Sequence, residues 1–319
     1  MKQEHEIDVR KAAIIGCGFV GSSAAFSLMQ SGLFTELVLL DVDSNRAEGE
    51  AMDISHGMPF SSPMKIYAGD YDDIADADIV IITAGANQKP GETRLELVSK
   101  NVKIYQGIIP KLVGRDYKGI LLIVSNPVDI LTYVAWKLSG FERSRVIGSG
   151  TVLDTARLKY LVGEHLGVDS RGVHAFVVGE HGDSELVVFS SATVSGVALS
   201  DFCQMRGYLD HDDELDCISE DVKNSAYEII ERKKATYYGI AMAVKRICEC
   251  IVRDERSVLP VSSLMQGEYG LHDIVLSMPA IVSAAGVEQI VPLALDEEEQ
   301  QLLQESAQAL QEVLASIEL

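Results

Sequence analysis

The chain has 319 residues, of which 47% are hydrophobic, and its formal net charge is −21 at pH 7. So acidic a surface disfavours nucleic acid and anionic membranes as partners, because both bind to basic faces. No apolar run approaches the roughly 18 residues that cross a bilayer, and the charged start lacks a secretory signal, so we expect a cytoplasmic protein with no membrane partner. The five cysteines include no CxxC pair, so we expect no disulfide framework and no metal site.

Strands and helices alternate through the first 150 residues. Apolar runs predict strands over 11–16, 36–40, 78–84 and 120–124, and helical spacing predicts helices over 19–31, 45–56 and 94–113. We expect Pro110 to kink or end the last of these helices. This alternation predicts a Rossmann-type doubly wound parallel sheet of the α/β class, with residues 1–150 forming a dinucleotide-binding domain.

A glycine-rich turn follows the first strand. Gly16, Gly18 and Gly21 form a GxGxxG pattern, in which the glycines permit a tight turn, a close approach of the backbone to a pyrophosphate, and close packing of helix on strand. Asp41 ends the second strand, where its carboxylate would bind ribose hydroxyls and repel the additional phosphate of NADP. The pattern therefore predicts NAD as the cofactor. The alternative is that Asp41 only caps the turn before the next helix.

The pattern changes after about Gly150. Predicted elements here are strands over 173–178 and 186–194, a helix-rich stretch over 216–252, short strands near 274–291 interrupted at Pro279 and Gly286, and an amphipathic helix over 297–318 with Asp296 as its N-cap. This mixture predicts that residues 151–319 form an α+β domain, which we expect to bind the substrate and carry the catalytic groups.

Two distant segments of this second half supply the chemistry. Asp154 and Arg157 share one face of a predicted helix, and His181 lies in the glycine-flanked sequence GEHGD. A histidine with a carboxylate partner can move a proton near neutral pH, and an arginine can hold a carboxylate through two hydrogen bonds. The alternatives are a surface ion pair between Asp154 and Arg157 and a structural role for His181.

Two further segments follow predicted strands at the edge where ligands bind in such sheets. The loop over 85–94 has the small residues of a lid, and Arg94 could polarise a carbonyl when the loop closes. Asn126 could reach the reacting oxygen. The alternatives are an exposed charge at Arg94 and an ordinary turn residue at Asn126.

Read together, these segments closely resemble the L-lactate dehydrogenase branch of the lactate/malate dehydrogenase family. The matching stretches are GCGFVG, AGANQKPGETR, SNPVD, GSGTVLDTAR, GEHGD, KKATYYGIA and GEYG. The resemblance extends from Ala12 to the final helix. It implies reversible hydride transfer between L-lactate and pyruvate with NAD, and a homotetrameric assembly.

The resemblance also implies a role for each site residue. His181 is the proton acceptor in lactate oxidation, Asp154 orients it, and Arg94 polarises the carbonyl. The residues implied to bind substrate are Arg157, Gln88, Asn126 and Thr236. The residues implied to contact the cofactor are Gly16, Gly18, Val20, Gly21, Asp41, Gly85, Ala86, Val124, Asn126, Ser149 and Ile240. A cis peptide bond is implied before Pro127.

Gln88 bears on substrate choice, because malate dehydrogenases usually carry an arginine at the matching position. Enclosing an unpaired second carboxylate costs several kcal/mol, on the order of a thousandfold discrimination. Pyruvate should therefore be preferred to oxaloacetate, with a branched-chain 2-hydroxy acid dehydrogenase or a malate dehydrogenase as alternatives.

Bacterial relatives often bind fructose 1,6-bisphosphate through an arginine and a histidine. Here those positions are Lys159 and His174, which leaves allosteric activation open.

Overall fold

The computed structural model describes residues 10–86, 93–208 and 212–317, with the side chains of Arg94 and Asp212 outside the description. The strands are β1 (Lys11–Ile15), β2 (Glu36–Leu40), β3 (Lys65–Ala68), β4 (Ile79–Ile82), β5 (Ile120–Ile123), β6 (Val146–Gly148), β7 (Val173–Val178), β8 (Leu186–Val194), β9 (Val197–Ala198), β10 (Ser257–Gln266), β11 (His272–Ser283) and β12 (Gly286–Ile290). The helices are α1 (Phe19–Ser31), α2 (Ser44–Ser55), α3 (Arg94–Val113), α4 (Val128–Ser139), α5 (Val152–Leu166), α6 (Leu199–Met205), α7 (Asp212–Lys233), α8 (Tyr238–Val252) and α9 (Glu297–Ala315).

The first six strands form a parallel sheet in the order β3-β2-β1-β4-β5-β6, which confirms the predicted doubly wound fold. The strand order reverses between β1 and β4. Ligands bind in the crevice outside the carboxyl ends of the strands at such a switch point. The glycine-rich turn follows β1 and the segment over 83–86 follows β4, so both predicted cofactor segments open into this crevice.

The second half of the chain continues the same sheet. Strands β10, β11 and β12 extend it antiparallel beyond β6, through a bridge between Ser262 and Gly148, so that nine strands form one sheet. Strands β7, β8 and β9 form a separate antiparallel sheet. This mixture of helices and antiparallel strands agrees with the α+β architecture expected for the second half. The division at residue 150 stays a prediction.

The large sheet is covered on both faces. Ala12 and Ile14 of β1 pack in one cluster with apolar residues of α1 and α8. Ala13 and Ile15 point the other way and pack in a second cluster with α3 and α4. Because both faces are buried, the central strands are almost purely apolar, which is why their runs were visible in the sequence. No helix within the described parts of the chain is long and apolar enough to cross a membrane.

The strand break predicted at Pro279 is wrong. A kink or an end of the helix was predicted at Pro110, and the helix does not end there. Pro110 lies inside α3, which continues to Val113. Because Pro110 is close to the end of the helix, its missing N–H costs only a single hydrogen bond. Pro279 lies inside the twelve-residue β11, opposite Pro260 of β10. The carbonyls of these two prolines accept hydrogen bonds from Val291 and Thr151, outside the ladder between β10 and β11. Their ring nitrogens face the same way as these carbonyls, so no hydrogen bond of that ladder is lost.

The other predicted boundaries agree with the structure to within a few residues. The helix-rich stretch over 216–252 resolves into α7 and α8, and the final helix begins after the predicted N-cap Asp296, whose side chain accepts a hydrogen bond from the Glu299 backbone N–H. The predictions omit β3, β6, β9, β10, α4 and α6.

Candidate active site

The three glycines of the turn after β1 have different surroundings. Gly16 has a φ of +105°, and a Cβ there would lie 2.6 Å from the backbone nitrogen of Ala84. A Cβ on Gly21 would lie 1.9 Å from the carbonyl oxygen of Gly16. A Cβ on Gly18 would meet no atom of the described residues within 4 Å. The protein itself therefore requires Gly16 and Gly21, whereas Gly18 leaves open space, as expected where backbone approaches a ligand.

Asp41 lies directly after β2, beside this turn. One carboxylate oxygen accepts a hydrogen bond from the Cys17 backbone N–H at 2.6 Å, and the other accepts one from Asp43 at 3.0 Å. Asp41 therefore stabilises this turn through its own hydrogen bonds, as the alternative interpretation expected. Each carboxylate oxygen still has a second lone pair that can accept a hydrogen bond from a ribose hydroxyl. Helix α1 starts after Gly18 without a side-chain cap among the described residues, so its N-terminus can receive a phosphate. These residues fit a dinucleotide.

The remaining predicted cofactor residues follow strands or begin helices at this edge of the sheet. They are Val20 on α1, Gly85 and Ala86 after β4, Val124 and Asn126 after β5, Ser149 after β6, and Ile240 on α8. The peptide bond between Asn126 and Pro127 is cis, as the resemblance implied.

Asn101 is a site residue that sequence reasoning missed. This fully buried side chain on α3 accepts a hydrogen bond from the Ala86 backbone N–H at 2.7 Å and donates one to the carbonyl oxygen of Asn126 at 2.8 Å. It therefore joins the segments that follow β4 and β5. The available signal was a polar residue on the apolar stripe of α3, in line with Val98 and Val102.

The predicted catalytic groups come together in the second half of the chain. Asp154 and Arg157 lie on α5, and His181 lies in the turn between β7 and β8. Nδ1 of His181 lies 2.6 Å from Oδ2 of Asp154, and Nη1 of Arg157 donates to Oδ1 at 2.6 Å. The Asp154 side chain is only 1% exposed, against 13% for Arg157 and 23% for His181. The pair is therefore not a surface ion pair: one buried carboxylate orients both cations.

These contacts set the protonation of the histidine. Burial by itself lowers the pKa of His181, but the Asp154 carboxylate, through its charge and hydrogen bond, outweighs burial and raises the pKa to about 9. Burial by itself raises the pKa of Asp154, yet the charges of His181 and Arg157 hold it below its ordinary value. The imidazole is therefore protonated at neutral pH. Because Nδ1 faces Asp154, Nε2 is the nitrogen that can give its proton to a ligand.

Two further acids adjoin His181, and neither was predicted as a site residue. Asp129 accepts a hydrogen bond from the backbone N–H of His181 at 2.8 Å. The nearer carboxylate oxygen of Glu185 lies 4.0 Å from Nδ1 of His181. Burial raises the pKa of Glu185 to about 8, and the charge of Asp154 adds to this effect. The available signals were the acidic residue of SNPVD and the glutamate that ends GEHGDSE.

The other predicted substrate residues are only partly described. Gln88 lies outside the described residues, as does the side chain of Arg94, the first residue of α3. Thr93 caps this helix through a reciprocal pair of hydrogen bonds with Glu96. Thr236 lies in the short connection between α7 and α8, next to Tyr237, whose ring stacks on Phe19 at 5.4 Å. That stack brings the connection to the start of α1, beside the glycine-rich turn.

Comparison with known proteins identifies the family. The model for the NAD-binding domain of lactate/malate dehydrogenases matches residues 10–148, and the model for their α/β C-terminal domain matches residues 151–318. The chain belongs to the lactate/malate dehydrogenase family. It is 51% identical over 311 residues to an L-lactate dehydrogenase of Acetivibrio thermocellus, covering 98% of each chain, and 51% identical over 312 residues to an L-lactate dehydrogenase of Priestia megaterium, again covering 98% of each.

A solved structure agrees with the fold. The minor L-lactate dehydrogenase of Enterococcus mundtii, in its ligands-bound form, is 44% identical and superposes with a TM-score of 0.95, covering 98% of this chain and 99% of that one. The family assignment and the Rossmann-type fold predicted from the sequence are therefore confirmed, and the family model indicates NAD as the cofactor.

The two residues predicted to contact a sugar bisphosphate lie on neighbouring elements. Lys159 lies on α5 and His174 on β7, which packs against α5. His174 is exposed, whereas Lys159 is half-buried and burial lowers its pKa. A lysine without the planar fork of arginine, and with a lowered pKa, is a weaker phosphate ligand.

Proposed function

We propose that the protein is an NAD-dependent L-lactate dehydrogenase, which interconverts lactate and pyruvate. The observation that carries this proposal is the buried Asp154 carboxylate, which holds His181 and Arg157 side by side. Arg157 can bind the carboxylate of a small acid while His181 exchanges a proton with the oxygen on the second carbon of that acid. Similar bacterial proteins are named L-lactate dehydrogenases, which favours lactate over malate or a branched-chain acid.

Each side chain has one task in pyruvate reduction. Arg157 binds the substrate carboxylate, and protonated His181 donates its Nε2 proton to the carbonyl oxygen as that oxygen gains charge. Asp154 stabilises the imidazolium and fixes Nδ1 as the inward nitrogen. Arg94 and Asn126 would face the same oxygen and would stabilise its charge. NADH, when bound, would supply the hydride to the carbonyl carbon of pyruvate. In lactate oxidation, neutral His181 accepts the hydroxyl proton instead.

The cofactor residues proposed for this role are those at the carboxyl edge of the parallel sheet. The turn at Gly16 and Gly18 would receive the pyrophosphate at the start of α1, and Asp41 would bind the ribose. Thr236 and Gln88 would border the methyl end of the substrate. A neutral Gln88 there offers no partner to the second carboxylate of oxaloacetate.

A substrate panel tests the proposal. Purified protein is assayed with NADH and pyruvate, oxaloacetate or 2-oxoisocaproate at equal concentration, and NADPH replaces NADH as a control for Asp41. We expect pyruvate to give the highest kcat/KM, by on the order of a thousandfold over oxaloacetate, and NADH to be preferred. A higher kcat/KM for oxaloacetate would contradict it.

We propose further that the enzyme works in the cytoplasm as a homotetramer, with domains over residues 1–150 and 151–319. Sedimentation or light scattering tests the assembly, and a monomer at assay concentration would contradict it.

Activation by fructose 1,6-bisphosphate would act through Lys159 and His174. Pyruvate saturation curves with and without the sugar bisphosphate test this, and superimposable curves would exclude activation.

A further inference from the structure

The charge cluster around His181 contains a carboxyl group that the proposed mechanism does not use. Glu185 ends the turn that carries His181, directly before β8, and its backbone N–H donates to the carbonyl oxygen of Gly182 at 3.1 Å. Its side chain is only 3% exposed. Burying a carboxyl group costs free energy, and a neutral side chain could fill the same space. The acid therefore points to an electrostatic effect on the groups beside it.

Glu185 acts on His181 through its charge. Its nearer carboxyl oxygen lies 4.0 Å from Nδ1 of His181, which is beyond the reach of a hydrogen bond. Asp154 lies 2.6 Å from the same nitrogen and forms the hydrogen bond there. Glu185 is thus a second acid beside Nδ1, and Nε2 stays the nitrogen that exchanges a proton with the substrate.

The ionisable groups that face Glu185 come from three elements. They are Asp154 and Arg157 of α5, His181 of the turn, and Lys223 of α7. The first two cations are both bound to Asp154 at 2.6 Å, and the lysine lies 3.8 Å from another glutamate of its own helix. Burial, to which the charge of Asp154 adds, therefore outweighs these cations and raises the pKa of Glu185 to about 8. Its carboxyl group keeps a proton at neutral pH.

We propose that Glu185 is a positioning residue that acts through His181. Its carboxyl group stays neutral near pH 7 and, once ionised in more alkaline solution, adds a second negative charge that holds the proton on the imidazole. This inference rests on the proposed lactate dehydrogenase function. Protonated His181 reduces pyruvate and neutral His181 oxidises lactate, so Glu185 extends pyruvate reduction to higher pH and delays lactate oxidation.

The two groups lose their protons in an order that suits this role. Burial lowers the pKa of His181, the charge and hydrogen bond of Asp154 raise it most, and the charge of Glu185 raises it further, to about 9. Glu185 ionises earlier, at about pH 8. Between these two values its carboxylate is charged while the imidazole still holds its proton. The additional charge therefore acts in the range where pyruvate reduction would otherwise begin to fail.

Two neutral substitutions remove the charge. Glu185→Gln keeps a polar end and Glu185→Leu keeps a similar volume without one, so the test remains possible if one variant does not fold. In both, kcat/KM for pyruvate should fall about one pH unit lower than in the wild type, the order of effect of one charge at this distance. Lactate oxidation should rise earlier by the same interval. NMR titration of the imidazole should show the same shift in the pKa of His181.

A matched control and a direct measurement complete the test. Glu299→Gln removes another buried carboxylate, which binds the backbone N–H and hydroxyl of Ser190, and should leave the pH profile and the pKa of His181 unchanged. Infrared spectroscopy of the wild type should show the carbonyl stretch of a protonated carboxyl group that disappears around pH 8. This band should be missing from Glu185→Gln.

Two results would overturn the inference. One is a pKa of His181 that is the same in the wild type, Glu185→Gln and Glu185→Leu. The other is a Glu185 carboxyl group that is already ionised at pH 7. A wild-type protein inactive on pyruvate would instead refute the proposed function, and the NMR and infrared titrations would still decide whether Glu185 holds the proton on His181.

Discussion

The cofactor side and the substrate side of the cleft are built differently. On the cofactor side, the turn at Gly16–Gly21 and Asp41, which lie close together in the sequence, offer mainly backbone groups and one carboxylate to a ligand. The substrate side is a buried cluster of charges gathered from α4, α5 and the turn between β7 and β8. On the cofactor side, the shape of the backbone decides whether the cofactor binds. On the substrate side, the balance of charges decides whether His181 is protonated.

The largest expected effect is on the substrate side alone. His181→Ala removes the proton donor and should lower the turnover of pyruvate by roughly 10²–10⁴-fold. Fluorescence titration should still show wild-type affinity for NADH, because the glycine-rich turn is untouched. The exposed His56→Ala is the matched control and should behave like the wild type. Near-normal turnover in His181→Ala would break the distinction between the two sides.

The cofactor side can be divided by two alanine substitutions in one turn. Gly21→Ala places a Cβ 1.9 Å from the carbonyl oxygen of Gly16 and should destabilise the protein by about 3 kcal/mol or more. The new Cβ of Gly18→Ala meets no atom within 4 Å in the described part of the chain, so this substitution should change the free energy of unfolding by less than about 0.5 kcal/mol. It should nevertheless weaken NADH binding by roughly tenfold or more, about 1.4 kcal/mol. Denaturation and NADH titration of both variants check this, and unchanged NADH affinity in Gly18→Ala would contradict it.

A smaller effect is expected at Asn101, which joins the segments after β4 and β5. Asn101→Ala leaves the N–H of Ala86 and the carbonyl of Asn126 without this partner, at about 1–3 kcal/mol for each buried group that stays unsatisfied. Denaturant unfolding should show that loss, and KM for NADH should rise. The exposed Asn224→Ala provides the control. Equal stability of the two variants would show that the bridge is not needed.

The same contrast explains what the sequence could predict. The central strands are buried on both faces, so their apolar runs stand out, and the glycines and Asp41 lie within 26 residues of one another. Strand β10 was missed because its SVLPVSSLMQ sequence contains a proline and three serines. Ser262 of this strand is polar because it binds Asp129, and Pro260 is tolerated because its nitrogen faces away from β11.

The charge cluster was only partly predictable. His181, Asp154 and Arg157 were found because their residue types suit proton transfer and carboxylate binding. Asp129 and Glu185 were missed because their function depends on burial and on contacts between distant segments, which no local spacing reveals. The shift in the pKa of His181 likewise depends on the Asp154 contact across 27 positions of the chain.

The account depends most on His181 being held in its protonated form by Asp154. The direct test is kcat/KM for pyruvate against pH in the wild type and in Asp154→Asn, since this ratio reports the pKa of the free enzyme's essential acid. For the wild type, we predict that kcat/KM falls as the pH passes about 9, where His181 loses its proton, and that lactate oxidation rises over the same range. In Asp154→Asn the fall should move to lower pH, towards the ordinary histidine pKa of 6.5, because the largest opposing charge is removed while burial and the smaller effects of Glu185 and Asp129 remain. Coincident profiles for the two proteins would contradict the account.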